Sequence, residues 1–356
     1  MTEQRPSSAN HPSPAQGASA VQGVLRMANA FHGSQAIHVA AELGLADLLA
    51  DGPLDATALA AAAQVDAPAL YRLLRMLVSA GVFSQDEQGR FGLTEVGAAL
   101  RTNQSSAVRD AVRFLTSEWV WGAWGEFGYS VRTGKPAFDR VWGMSNFEYW
   151  EHNSEAGRIH DAGMAGITSQ QIPAIVAACD YARFRTIVDV GGGLGSLLAA
   201  LLKAYPAAKG ILFDLPHVVK DAPDTFSRVG VAERCTIQAG SFFETVPVGG
   251  DAYLLKFILH DWDDARSLAI LKAIRQAMPE DATLLDIDQV LPDKIVPSPD
   301  TEDRYRRDLQ MLVQTPGGRE RTPEQFRRLL AAAGLELTRI LPTQSVLSIV
   351  EAAVAH

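Results

Sequence analysis

Arg185-Thr186-Ile187-Val188-Asp189-Val190 runs into Gly191-Gly192-Gly193-Leu194-Gly195, and Ser196-Leu197-Leu198-Ala199-Ala200-Leu201-Leu202 follows. The first run has the β-branched content of a buried parallel strand, and the last has the composition of a helix. Glycines at 191, 193 and 195 suit a tight turn and a close approach of backbone to ligand where strand gives way to helix. A dinucleotide-binding loop would carry its third glycine at 196, and Ser196 stands there instead. By itself the loop also fits other nucleotide-binding folds and a plain turn.

Downstream of this switch, strand-like and helix-like runs alternate. Strand candidates are 186–190, 209–214, 235–239, 252–257, 283–291, 335–342 and 345–353. Such alternation predicts an α/β fold, with a mostly parallel sheet covered on both faces. Only Pro342-Thr343-Gln344 separates the last two candidates, too short a link for a helical crossover, so they are expected to pair antiparallel.

Upstream the pattern is helical and alanine-rich. Ala36 to Leu45 and Ala69 to Leu77 space apolar residues at helical intervals, and Val82-Phe83-Ser84 with Arg90-Phe91-Gly92-Leu93 reads as a short hairpin. Helices followed by a hairpin suggest a winged helix, a shape that often binds DNA. Only Arg72 and Arg75 on the candidate recognition helix would face a phosphate backbone, and the chain's net charge is −9. Residues 119 to 164 hold an aromatic cluster that includes Phe127, Phe147 and Trp150. It suits either a core or the wall of a pocket for a planar ligand.

The chain has 356 residues, 47% of them hydrophobic and 21% charged, enough for two domains with sizeable cores. Cys179 and Cys235 are its two cysteines, so no disulfide framework is expected. No apolar run approaches the roughly 20 residues of a membrane helix. A cytoplasmic location is expected, without nucleic-acid or membrane partners. The expected divisions are a disordered tail at 1–20, a helical domain at 21–115, an aromatic-rich helical linker at 116–175 and a catalytic domain at 176–356.

Ligands of such sheets lie beyond the carboxyl ends of the strands. Asp189 closes the first strand. Phe213-Asp214-Leu215-Pro216 closes the second, where a carboxylate can take both hydroxyls of a ribose or simply form a turn before Pro216. Gly240-Ser241-Phe242-Phe243 closes the third with a hydroxyl and aromatic faces. His260 follows the fourth, inside Leu259-His260-Asp261-Trp262. Histidine is the natural base for a phenol, whose pKa near 10 keeps it protonated at neutral pH. Asp261, adjacent to it, is also a candidate helix N-cap.

Together these stretches resemble the large S-adenosylmethionine-dependent O-methyltransferase family of plants and bacterial natural-product pathways, of caffeate, hydroxyneurosporene and polyketide type. The family's motifs correspond to 189–195, 213–216, 240–243, 255–262 and 317–322, and the similarity spans roughly residues 20 to 354. The resemblance implies a Rossmann-like seven-stranded sheet with an N-terminal, mainly helical, winged-helix-like dimerisation domain, and a homodimer. It implies S-adenosyl-L-methionine as cofactor, S-adenosyl-L-homocysteine as product, and no metal. Asp189, Gly191, Gly193, Gly195, Asp214 and Leu215 would hold the cofactor, together with Gly240, Ser241, Phe242, Phe243 and Lys256.

By the same resemblance His260 is the base, and Asp288 and Glu320 orient it. Phe127, Trp150, Met164, Asp261, Asp308 and Met311 are assigned to an aromatic or polyketide-like acceptor, and Met164 and Thr168 match positions near the cofactor. Two departures stand out. Ser241 replaces a common acidic residue, and Asp288 replaces a common glutamate, one methylene longer. Three functional readings follow: methyl transfer to a hydroxyl, a relative that keeps the cofactor for hydroxylation or pericyclic chemistry, and a ligand-sensing regulator built on the winged helix.

Overall fold

The computed structural model describes residues 14–102 and 108–356. The chain divides into two compact units, Met1–Arg101 and Thr102–His356.

In the first unit, helices form where an aspartate can cap them. Asp55 accepts a hydrogen bond from Ala58 N and Asp66 from Ala69 N, both at 2.8 Å. These caps open the helices Ala56–Ala63 and Ala67–Ser79. Leu70, Leu74 and Leu77 repeat at helical spacing and are buried, while Arg72 and Arg75 lie on the exposed face. Strands β1 (Phe83–Gln85) and β2 (Phe91–Leu93) form the expected antiparallel hairpin. The expected tail at 1–20 requires correction. Residues 1–13 lie outside those described, but Pro14–Asn29 is a helix.

The second unit carries a seven-stranded sheet built from β3 (Thr186–Val190), β4 (Lys209–Asp214), β5 (Cys235–Ala239), β6 (Ala252–Lys256), β7 (Thr283–Asp288), β8 (Leu335–Pro342) and β9 (Ser348–Val354). Its order is β5-β4-β3-β6-β7-β9-β8. The first five strands in that order are parallel, and β9 runs antiparallel to both β7 and β8. Successive strands step outward from β3 to β5, and the chain then returns to lay β6 beside β3. That reversal opens a crevice at the carboxyl ends of β3 and β6, the usual seat of a ligand. Strand β7 ends at Asp288, short of the expected 291.

Both faces are covered, which explains the near-continuous apolar strands. Ile187, Leu212, Leu254 and Ile287 pack with the helix Ser196–Ala204 on one face. Val188, Val190, Tyr253 and Leu255 pack with the helices Asp264–Ala277 and Pro323–Ala332 on the other.

The boundary expected at 115 falls instead at Arg101. The helix Val108–Leu115 belongs to the second unit because Phe114 seats on the long helix Ser154–Ala178 at Gly163. A Cβ at Gly163 would lie 2.4 Å from that of Phe114, so the seat requires glycine. Among the described residues, no helix is long and apolar enough to cross a membrane.

Candidate active site

Where β3 ends, Gly191, Gly193 and Gly195 take φ values of +70°, +59° and +76°. Each glycine answers a different demand. At Gly191 a Cβ would fall 2.5 Å from Ile258 Cδ1, and at Gly195 one would fall 2.4 Å from Phe226 Cζ. At Gly193 nothing lies within 4 Å, so the backbone there faces open space. Gly191 and Gly193 line a cavity of about 370 Å³, whereas Gly195 is outside its wall and serves the packing of the turn.

The loop is braced from β4. Asp214 Oδ2 accepts from Gly193 N at 2.8 Å, and Oδ1 accepts from Leu215 N at 2.7 Å. Burial raises the Asp214 carboxyl while these two amides pull it down. Each oxygen keeps lone-pair capacity for a ligand hydroxyl. Asp189 is 2% exposed, and its Oδ2 has no partner among the described residues. Burial, and secondarily the Asp214 charge, push its carboxyl up to about 7 against the pull of Lys256.

After β5, Gly240 stays flat against the Phe213 ring, where a Cβ would lie 2.6 Å from Cε2. Ser241 Oγ accepts from Phe243 N at 3.3 Å. Phe242 and Phe243 pack edge-to-face at 4.9 Å, and Phe243 meets Trp262 at the same distance. Lys256 ends β6 with its Nζ donating to Thr168 Oγ1 at 3.0 Å and lying 3.7 Å over the Phe257 ring. Burial holds its amine down at about 7, opposed by Asp288 and Asp189. Phe257 has φ +57°, a strained value for an aromatic residue outside a turn glycine.

His260 follows in the short turn Leu259–Asp261. Its Nδ1 is 3.1 Å from Glu320 Oε1 and 3.5 Å from Asp288 Oδ1. Only the glutamate makes a hydrogen bond, and both Asp288 oxygens are buried without a partner among the described residues. The shorter side chain stops just out of reach. On the other edge Nε2 is 3.6 Å from Asp261 Oδ1, and the Phe257 ring lies parallel to the imidazole at 4.9 Å. Burial raises Glu320 to about 8 and raises Asp288 and Asp286 as well. The N-cap reading of Asp261 is corrected, because Asp263 caps the following helix by accepting from Arg266 N at 2.8 Å.

The turn is held from below by 317–321. Arg321 is 1% exposed and donates to Leu259 O at 2.6 Å, Trp262 O at 2.9 Å, Ser267 Oγ at 3.0 Å and Asp264 Oδ1 at 3.0 Å. Arg319 N donates to His260 O at 2.7 Å. A Cβ on Gly318 would fall 2.4 Å from that same carbonyl oxygen. Asp308 accepts from Glu320 N at 2.9 Å.

The cavity thus collects Asp189, Gly191, Gly193, Asp214, Leu215, Gly240, Ser241, Phe242, Phe243 and Lys256 of the expected cofactor residues. Trp150, Met164 and Asp261 of the expected acceptor residues share its wall. Three others do not line it. Phe127 packs on Trp124 at 5.2 Å in a separate aromatic core around Phe138 and Val313, Asp308 serves the Glu320 backbone, and Met311 sits half-buried on the helix Pro299–Gln314. His260, Asp288 and Glu320 lie together beneath the wall that Phe257, Ile258, Asp261 and Trp262 form. Their three ligating atoms lie within 4.8 Å of one another. Sequence reasoning missed Arg321, Asp286, Phe257 and His160. Of these His160 had a signal, since it precedes Met164 and Thr168 on one helical face.

A nucleoside-bearing cation fits this chemistry. A buried carboxyl at Asp189 with an unpartnered oxygen, the amide-bonded carboxyl of Asp214 and an open glycine backbone at Gly193 face one cavity with the rings of Phe242 and Phe243. Comparison with known proteins agrees. Residues 124–336 match the O-methyltransferase domain family, and residues 25–103 match the O-methyltransferase dimerisation domain. The chain is 42% identical over 331 residues to the phenazine O-methyltransferase PhzM of Lysobacter antibioticus, covering 92% of this chain and 95% of that protein. The crystal structure of LaPhzM superposes with a TM-score of 0.90 at 41% identity, over 94% of this chain and 99% of that one. NcsB1, an O-methyltransferase from neocarzinostatin biosynthesis solved with S-adenosylmethionine and 2-hydroxy-5-methyl naphthoic acid, superposes with a TM-score of 0.77 at 34% identity. That alignment covers 90% of this chain and 96% of that one.

Proposed function

This chain belongs to the S-adenosylmethionine-dependent O-methyltransferase family, and from that premise we propose that it methylates a hydroxyl of an aromatic or polyketide-like small molecule, with His260 as general base. The observation that carries the reading is the 3.1 Å contact of His260 Nδ1 with Glu320 Oε1, at the carboxyl end of β6 beside the glycine-lined cavity. The N-terminal dimerisation domain supports a homodimer as the working form.

S-adenosylmethionine, when bound, supplies a methyl group made electrophilic by its sulfonium charge. Asp214, with Leu215, would take its ribose hydroxyls, and Ser241, Phe242 and Phe243 would hold the adenine. Gly191 and Gly193 leave the backbone open to the rest, and Asp189 and Asp214 favour its positive charge. Lys256, braced by Thr168, shapes the same end.

The chain must then align the acceptor oxygen and take its proton. Glu320 accepts the Nδ1–H, which leaves the Nε2 lone pair to act and stabilises the imidazolium that forms. The acceptor oxygen replaces Asp261 Oδ1 beside Nε2, a contact that is only 3.6 Å long before the acceptor arrives. Trp150, Met164 and Trp262 hold an aromatic ring in place.

The test is S-adenosylhomocysteine release across a panel of phenolic and polyketide acceptors, with His260→Ala alongside. Native protein is expected to release product. The variant should lose roughly 10²–10⁴-fold in kcat while binding the cofactor as before. Undiminished turnover in the variant removes His260 as base. Tight cofactor binding with no release from any acceptor favours a relative that has kept the cofactor for other chemistry.

A further inference from the structure

The cavity wall holds a histidine that the reaction described above leaves unused. His160, Met164 and Thr168 recur every fourth residue on the helix Ser154–Ala178, and all three line the cavity. Thr168 accepts the Lys256 hydrogen bond, so its end of the stripe belongs to the cofactor. Eight residues of helix, about 12 Å of rise, separate it from His160. His160 therefore marks the far end of the wall, beyond the span of a single phenol ring.

Its imidazole is held in place on several sides. Trp150 stacks on it at 3.7 Å and 19°, Phe114 meets it at 5.1 Å and 84°, and Nδ1 lies 3.0 Å from Asp161 Oδ1. A carboxylate only accepts, so Nδ1 carries the hydrogen, and in that tautomer Nε2 presents its lone pair. Among the described residues Nε2 has no partner, and it is not sealed from solvent. The indole Nε1–H of the stacked Trp150 is buried and has no acceptor among the described residues, so it is turned away from the cavity and leaves His160 Nε2 as the accessible polar atom of the pair. An acceptor at the wall calls for a donor on the ligand, and on a phenolic acceptor that donor is a hydroxyl. A carboxylate would meet Glu148, Glu151, Asp161 and Asp261 in the same wall.

We infer that His160, fixed by Trp150 and Asp161, determines specificity by accepting a hydrogen bond from a second hydroxyl of the acceptor, remote from the one that is methylated. The acceptor is then a fused aromatic with hydroxyls on different rings. This inference rests on the O-methyl transfer proposed above. Immobilising the ring in advance lowers the entropic cost of the contact.

Release of S-adenosylhomocysteine is measured with 2,7-dihydroxynaphthalene, 2-hydroxy-7-methoxynaphthalene and 7-hydroxy-2-naphthoate, for the native protein, His160→Phe and His160→Gln. The native protein should favour the dihydroxy compound over its methyl ether by roughly tenfold in kcat/KM, the worth of one hydrogen bond. His160→Phe should bring that ratio to within about twofold of unity, through KM rather than kcat, and His160→Gln should restore part of it. A ratio that survives His160→Phe overturns the inference while leaving methyl transfer intact. Preference of the native protein for the naphthoate overturns it too, by showing an anion site. Release from none of the three refutes a fused phenolic acceptor, and the wider panel above then decides separately whether methyl transfer stands.

Discussion

His260 meets two carboxyls on its Nδ1 side, and their distances rank them. Glu320 Oε1 at 3.1 Å forms a hydrogen bond, and Asp288 Oδ1 at 3.5 Å does not. The glutamate fixes the tautomer, whereas the aspartate contributes charge at a distance. Glu320→Gln keeps the shape and removes the carboxylate that, ionised above about pH 8, steadies the imidazolium, so at that pH kcat should fall by roughly 100-fold or more. Asp288→Asn should cost about tenfold or less, because it breaks no hydrogen bond. Single-turnover rates with saturating cofactor separate the two, and an equal loss in both variants would make the aspartate a full partner. An aspartate is one methylene shorter than a glutamate, in keeping with the longer distance at Asp288.

Among elements, the segment 317–321 and the turn Leu259–Asp261 behave as one piece. Arg321 bonds the carbonyls of Leu259 and Trp262 on either side of His260, while its neighbour Glu320 bonds the imidazole itself. Moving one therefore moves the other. Arg321→Met leaves those carbonyls only the longer contacts from Ser267 Oγ and, for Leu259, Trp262 N, and should destabilise the protein by about 1–3 kcal/mol. Arg321→Lys, with one ammonium in place of a planar fork, should fold and bind cofactor yet lose kcat about tenfold. Melting curves read the first effect and paired kcat and cofactor titrations the second. Unchanged kcat in the lysine variant would separate the clamp from the chemistry. The strands were legible in the sequence because burial on both sheet faces writes itself as near-continuous apolar runs, as in Ile187 to Val190. Phe127 and Trp150 could not be told apart, since both are aromatic residues on short helices and only packing sends one to a core and the other to the cavity. Arg321 was hidden for a related reason. A buried arginine looks like a surface one until the carbonyls it satisfies are folded around it.

For the whole molecule, the concentration of buried acids at one site governs the response to pH. Asp189 and Asp261 are raised to about 7 and Glu320 to about 8, chiefly by burial. Between the usual carboxylate range and these values the folded chain holds protons that the unfolded chain has released, so stability falls as pH rises through that window. Lys256, held down at about 7, acts in the opposite sense only above that pH, where the unfolded chain is the one that holds the proton. Glu351 and Asp264, lowered by their arginine partners against the effect of burial, contribute stability that is lost only in stronger acid. The ligand-free protein should therefore melt lower at about pH 8 than at about pH 5, by roughly 2–4 °C for each kcal/mol involved. Glu320→Gln should shrink the difference. Calorimetry without cofactor checks this, and a melting point that climbs across the window contradicts it. The domain architecture was also legible, but the junction was not. The polar run at 102–106 reads equally as a loop inside one domain, and the seat of Phe114 on Gly163 that draws Val108–Leu115 into the second unit is a tertiary fact.

Two of the chain's six tryptophans, Trp150 and Trp262, line the cavity, one against His160 and the other stacked on Phe147 at 5.0 Å. Indole fluorescence depends on what lies against the ring. The protein therefore carries its own optical gauge of occupancy, one emitter beside the far wall and one two residues from His260. Filling the cavity should change the light it emits, with no label attached and no product formed.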